Sequence, residues 1–197
     1  MRGPLRMLNV ARISRKATIG FPMLKYFLVA LSLCLAGPAR AADVTSPVHA
    51  VMDVATALWS NTDGEAVDYF DAAHIGNFSK EIRALYTEAT KHPAMDAEGV
   101  EGSPFDYDPI ILGQDGCPLE ELTIQAGAKD GAATDVVARF KRFSCMEDAS
   151  DEERNAVSEI HFRVIAESGR PVIADVVSGE GSDRYSLADA LKEILKH

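Results

Sequence analysis

The chain has 197 residues, 30 of them Asp or Glu against 20 Lys or Arg, for a formal net charge of −10. The charge is divided unevenly: seven Lys or Arg and no acidic residue precede Ala42, so the 156 residues from there on carry −17. A surface of that sign repels nucleic acid and anionic lipid, which leaves a basic protein or a small molecule as the expected partner.

Phe27-Leu28-Val29-Ala30-Leu31-Ser32-Leu33-Cys34-Leu35-Ala36-Gly37 is uncharged and mostly apolar. Basic residues ending with Lys25 precede it, and Ala39-Arg40-Ala41 follows as a small-x-small cleavage signal. That order is a secretory signal peptide over residues 1–41. The apolar run is too short for a membrane span, which needs about 20 residues, and no later run approaches that length. Met23-Leu24-Lys25-Tyr26 makes a more ordinary start, so Met23 is the alternative initiator. Cys34 resembles a lipidation site, but bulky Leu33 stands where such sites prefer a small residue. Residues 42–197 then form one domain of ordinary size, periplasmic or secreted. Cys117 and Cys145 remain in it, 28 positions apart. In an oxidising compartment such a pair reads as a disulfide; two buried thiols are the alternative.

Pro47 suits the first turn of a helix. Val48, Met52, Ala55 and Trp59 follow at helical spacing, with Val51 and Leu58 widening the stripe. Asn61-Thr62-Asp63-Gly64 ends it, and a short helical piece is expected over Glu65–Ala73. Asn77 is read as the cap of a helix whose apolar face is Phe78, Ile82, Leu85, Tyr86 and Ala89; His92-Pro93 stops it. Residues 91–105 read as a surface loop. Strands are expected over Glu121–Ala126, Ala133–Phe143, Val157–Glu167 and Val172–Val177, with turns at Lys129-Asp130-Gly131 and Ser168–Pro171. Val136, Ala138 and Phe140, then Ile160, Phe162, Val164 and Ala166, mark the inward faces. Glu147–Glu153 is read as a solvated acidic loop, although Ser150 and Glu153 fit a capping box. Ser186 caps a closing helix over Leu187–Lys196.

Helices, then an antiparallel meander, then a short helix define an α+β domain: N-terminal helices packed on one face of a curved antiparallel sheet, with a short C-terminal helix. Phe105-Asp106-Tyr107-Asp108-Pro109, followed by Gln114-Asp115, resembles a segment of a family of small secreted bacterial domains of unknown function. That family has the cone-shaped fold of nuclear-transport-factor-2-like proteins. The last strand with Asp175, followed by the Ser186-Leu187 helix, is similar too, so the resemblance spans roughly Val48 to Lys196. The chain departs from it at Arg170-Pro171, where the family pattern has Trp or Lys. The resemblance implies a fold and an envelope location, and no activity.

Asp106, Asp108 and Asp115 gather three carboxylates, as a Ca²⁺ site requires, but their spacing fits no EF-hand loop. Turn chemistry, in which Asp side chains accept backbone N–H groups, is the preferred reading. His74, His161 and Asp175 are the candidates for an acid–base pair in the mouth of the cone; His161 alternates with Phe162 and so can simply face solvent. Trp59, Tyr69, Tyr86 and Phe78 can line a ligand pocket or serve as core. Arg139, Lys141 and Arg142 are expected to pair with carboxylates on a neighbouring strand. No phosphate loop, metal-ligand spacing or nucleophile elbow occurs, and no cofactor is implied. Three readings remain: a non-enzymatic binding domain, including an inhibitor or immunity protein for a basic partner; a pocket isomerase or hydrolase using His and Asp; and a self-assembling structural protein of the envelope.

Overall fold

A computed structural model of the chain describes residues 43–60, 68–94, 102–114 and 116–197. Helix α1, Ser46–Trp59, opens with Pro47 in its first turn and buries Val48, Val51, Met52, Val54 and Ala55. The helical piece expected over Glu65–Ala73 falls partly outside the described residues. Its described part, from Asp68 on, is a run of turns. Asp68 accepts the Phe70 N–H at 3.0 Å, and Asp71 accepts those of Ala73 and His74 at 2.8 Å. Carboxylates serving the backbone locally compete with helix in this way.

Helix α2, Lys80–Ala89, is capped by Ser79, whose hydroxyl accepts the Ile82 N–H at 3.2 Å; Asn77 ends a short 3-10 turn instead. The cap is displaced because Phe78 is drawn out of the helix. Its side chain is fully buried, and the backbone there bridges Ile173 in parallel, with the Ser79 N–H donating to the Ile173 carbonyl at 2.8 Å. The extended backbone that the sheet demands at Phe78 excludes helical geometry at that residue.

Five strands follow in a meander: β1 Glu120–Asp130, β2 Ala133–Lys141, β3 Ser158–Glu167, β4 Arg170–Ser178 and β5 Tyr185–Ser186. They are antiparallel in the order β1-β2-β3-β4-β5. Lys129 and Asp130, expected in a turn, belong to β1, and the chain reverses at Gly131, where φ is +60°. Val157 lies outside β3 and is exposed. Helix α3, Asp151–Asn155, replaces the expected acidic loop: Ser150 and Glu153 complete a reciprocal capping box. Three acidic residues in its first turn also suit the positive end of the helix. Helix α4, Leu187–Ile194, is capped by the Ser186 hydroxyl.

The sheet has an apolar and a charged face. Val136, Ala138, Phe140, Ile160, Phe162, Val164, Ile173 and Val176 join Val48, Met52, Ile82, Leu187 and Leu191 in one core, so α1, α2 and α4 pack on the same face. On the other face Arg139 pairs with Glu159 at 2.6 Å, Lys141 with Glu121 at 2.7 Å and Arg163 with Asp130 at 3.0 Å. Arg139 and Lys141 thus behave as expected from the sequence; Arg142 does not. No helix among the described residues is long and apolar enough to cross a membrane.

The Cys117–Cys145 disulfide is formed, with Cα atoms 5.6 Å apart. It closes the open end of the β1–β2 hairpin, where the Cys117 N–H also donates to the Arg142 carbonyl at 2.8 Å.

Candidate functional site

The densest convergence of polar and aromatic groups is at Asp108, in the segment between α2 and β1. One carboxylate oxygen accepts the Ile110 and Ile111 N–H groups at 2.8 and 2.9 Å. The other accepts the Trp59 indole N–H at 2.7 Å and the Tyr69 hydroxyl at 2.6 Å. Four donors from α1, the turns after it and the local loop thus converge on that carboxylate. Asp106 contributes only its carbonyl, to the Gln114 amide at 2.9 Å, and Asp115 lies outside the described residues. Among the described residues no group of three His, Cys, Asp or Glu is placed to hold a metal. Asp108 thus serves the backbone of its own turn and two aromatic donors from distant segments.

The loop around it is clamped from the sheet. Asp108 and Gly113 bridge each other, and Leu112 between them adopts φ +61°. Arg142, from the end of β2, donates one guanidinium nitrogen to the Ile111 and Leu112 carbonyls at 2.7 and 3.0 Å. Its partners are carbonyls rather than the neighbouring-strand carboxylate expected for it. Burial lowers its pKa and the nearby Asp108 charge opposes that shift. Trp59 lies flat against two glycines: a Cβ on Gly113 would come 2.8 Å from the indole, and one on Gly116 only 2.2 Å. Gly116→Ala is therefore expected to lower stability by about 1–3 kcal/mol, the usual cost of overpacking. Urea unfolding checks this, with Gly76→Ala, where a Cβ would meet nothing, as the control.

Trp59, Tyr69 and Tyr86 do not form an open wall. Tyr69 is buried, and burial together with the Asp108 charge raises its pKa well above the ordinary value, so it stays a hydroxyl donor. Tyr86 stacks on Phe70 with ring centroids 3.9 Å apart, and Phe70 on Phe78 at 4.8 Å. All are members of the core or packed against it.

No hydrogen bond joins any two of His74, His161 and Asp175. His74 holds Asp71 at 2.8 Å in a local turn. His161 lies on the charged sheet face, its two ring nitrogens each 2.9 Å from a carboxylate oxygen, of Asp135 and of Glu159. Asp175 secures the start of α4, accepting the Ser186 hydroxyl at 2.8 Å and the Ala188 N–H at 3.0 Å. Each of the three candidates is engaged by different neighbours.

The inward role of Arg142, the packing of Gly113 and Gly116, and the Tyr107–Tyr185 pair escaped the sequence reading. The Tyr185 hydroxyl is buried without a hydrogen bond, and its ring meets that of Tyr107 edge-on at 6.4 Å. A shallow groove of ≈ 370 Å³ runs past Tyr107, between Phe105 and the Ala190–Ile194 side of α4. No periodicity marks these contacts, because each joins segments far apart in the chain.

The chain matches no protein-family model, no curated protein and no solved structure.

Proposed function

We propose that this chain is an exported, periplasmic or secreted, non-enzymatic binding domain. Its fold would be that of the nuclear-transport-factor-2-like proteins, and its acidic surface would engage a basic protein, as an inhibitor or immunity protein does. The observation that carries the reading is how the domain disposes of its cations. Arg139, Lys141 and Arg163 are spent on the sheet face, and Arg142 points inward. Arg154 folds back onto the Met146, Glu147 and Ala149 carbonyls and onto Asp151. Glu147, Asp148 and Glu152 are exposed, and their carboxylates form no ion pair among the described residues. An exposed acidic segment on a domain of net −17 would steer a positively charged partner into encounter. The disulfide suits the oxidising compartment to which a signal peptide would deliver the chain.

The test is association kinetics against a panel of small basic secreted hydrolases at low and at physiological salt. The expected outcome is a binder whose association rate falls about tenfold or more with salt. In the triple variant Glu147→Gln, Asp148→Asn, Glu152→Gln the association rate should fall with little change in dissociation. Binding indifferent to both salt and these substitutions contradicts the reading.

A further inference from the structure

The two halves of the Cys117–Cys145 bridge differ in access. Cys117 is fully buried, at 0% exposure, while Cys145 is exposed. In thiol–disulfide exchange a thiolate must reach one of the two sulfurs, and access decides which. While the domain is folded, a thiolate from solution can reach Cys145 alone. The buried half is placed to leave. The Cys145 N–H donates to the Cys117 Sγ at 2.8 Å, and a hydrogen bond to the charged form of a group favours that form. The hairpin end keeps a second tie, the Cys117 N–H on the Arg142 carbonyl at 2.8 Å, so the bridge can open without unfolding the domain.

The charge around Cys145 selects the thiol. Glu147 and Asp148 stand two and three positions beyond it, exposed and in no ion pair among the described residues. Three residues of chain span at most about 11 Å. The screening length is about 8 Å at physiological ionic strength, so both carboxylates act on whatever approaches Cys145. The cations of the segment are engaged elsewhere. Arg142 donates to the Ile111 and Leu112 carbonyls, and Arg154 pairs with Asp151 at 2.6 Å. An anionic thiol is repelled there, and a thiol carrying an ammonium group is drawn in.

We propose that Cys145 is a site of reversible thiol exchange for a small cationic thiol. The thiolate of that molecule attacks the Cys145 Sγ and forms a new disulfide there. The bond between Cys145 and Cys117 breaks, and Cys117 leaves with its electron pair and takes a proton from water. The bridge itself is the oxidant: the small thiol is oxidised, Cys117 is reduced, and no further reagent enters. In the reverse step the Cys117 thiolate attacks Cys145 and expels the small thiol. The proposal does not use the basic protein partner of the binding reading, so either can fail without the other.

The test exposes the bridged domain to 2-aminoethanethiol and, separately, to uncharged 2-mercaptoethanol. Acid quenching removes the thiolate and so stops exchange, and peptide mass mapping then locates the adduct. In the folded protein the adduct on Cys145 should exceed that on Cys117 about tenfold or more; in the urea-unfolded chain the two should be comparable. Each rate is divided by that thiol's rate with the neutral disulfide of 2-mercaptoethanol, which removes differences in intrinsic reactivity. The ammonium thiol should then be faster by about fivefold at low salt, the size of effect that two carboxylates about 8 Å away produce in water. That preference should vanish in high salt and in the variant Glu147→Gln, Asp148→Asn, whose Trp59 emission confirms folding. An adduct on Cys117 in the folded protein overturns the proposal. So does a folded bridge that takes up neither thiol, or a rate ratio that neither salt nor the variant changes.

Discussion

Asp108→Ala is expected to lower the unfolding free energy by about 3–5 kcal/mol. Four donors lose their acceptor at once: the Ile110 and Ile111 N–H groups, the Trp59 indole and the Tyr69 hydroxyl. A donor left unpaired in a buried site costs about 1–3 kcal/mol, and hydrogen bonds to a charged acceptor are the stronger kind. The sum falls short of four full penalties because Asp108 is only part-buried and water can reach some of them. Asp108→Asn should cost about half as much. Its carbonyl still serves the two backbone N–H groups, while its NH₂ faces two donors. Trp59 is the chain's single tryptophan, so its fluorescence reads this site directly. Urea unfolding followed by that emission should show lower midpoints in the order wild type, Asn, Ala, and calcium should not change the order. An Asp108→Ala protein within about 1 kcal/mol of wild type would mean that the turn is held by Arg142 and packing alone.

The second large effect is expected from the disulfide. Replacing both Cys117 and Cys145 with Ala should cost about 3–4 kcal/mol, the chain-entropy value for a sequence separation of 28. For a domain of this size that is a melting-temperature loss of about 10 °C. The ladder between β1 and β2 closes much of this loop in the folded state already, so the stabilisation acts chiefly through the unfolded chain. A thiol reductant should therefore lower the wild-type melting temperature by a similar amount and leave the double alanine variant unmoved. If reductant shifts neither protein, the bridge contributes nothing to stability.

The parts of the fold legible in the sequence are those governed by local period. Ile160, Phe162 and Val164 alternate and are buried as alternation predicts, with His161 on the charged face between them. The apolar stripe of α1, the Ser186 cap and the pairing of the two cysteines were likewise legible in spacing and residue type. What escaped depends on contacts between distant segments. Ser79 displaces Asn77 as a cap only because Phe78 must meet Ile173 across the core. Asp108 looks like one of three loop carboxylates until Trp59 and Tyr69, 49 and 39 positions earlier, arrive as donors. Arg142 reads as a member of a basic strand cluster, yet the strand ends at Lys141 and frees it to turn inward. The partners of His74, His161 and Asp175 were hidden for the same reason. Each has a nearer partner than the others, and residue type alone does not reveal that.

The proposed export and the disulfide staple are tested most directly by the intact mass of the protein recovered from its own cell envelope. With cleavage after Ala41 and the bridge formed, the mass should be that of residues 42–197 less two hydrogens, unchanged by thiol alkylation under native or unfolding conditions. A chain that keeps residues 1–41 and takes up alkylating agent at Cys117 and Cys145 would contradict both the export and the staple.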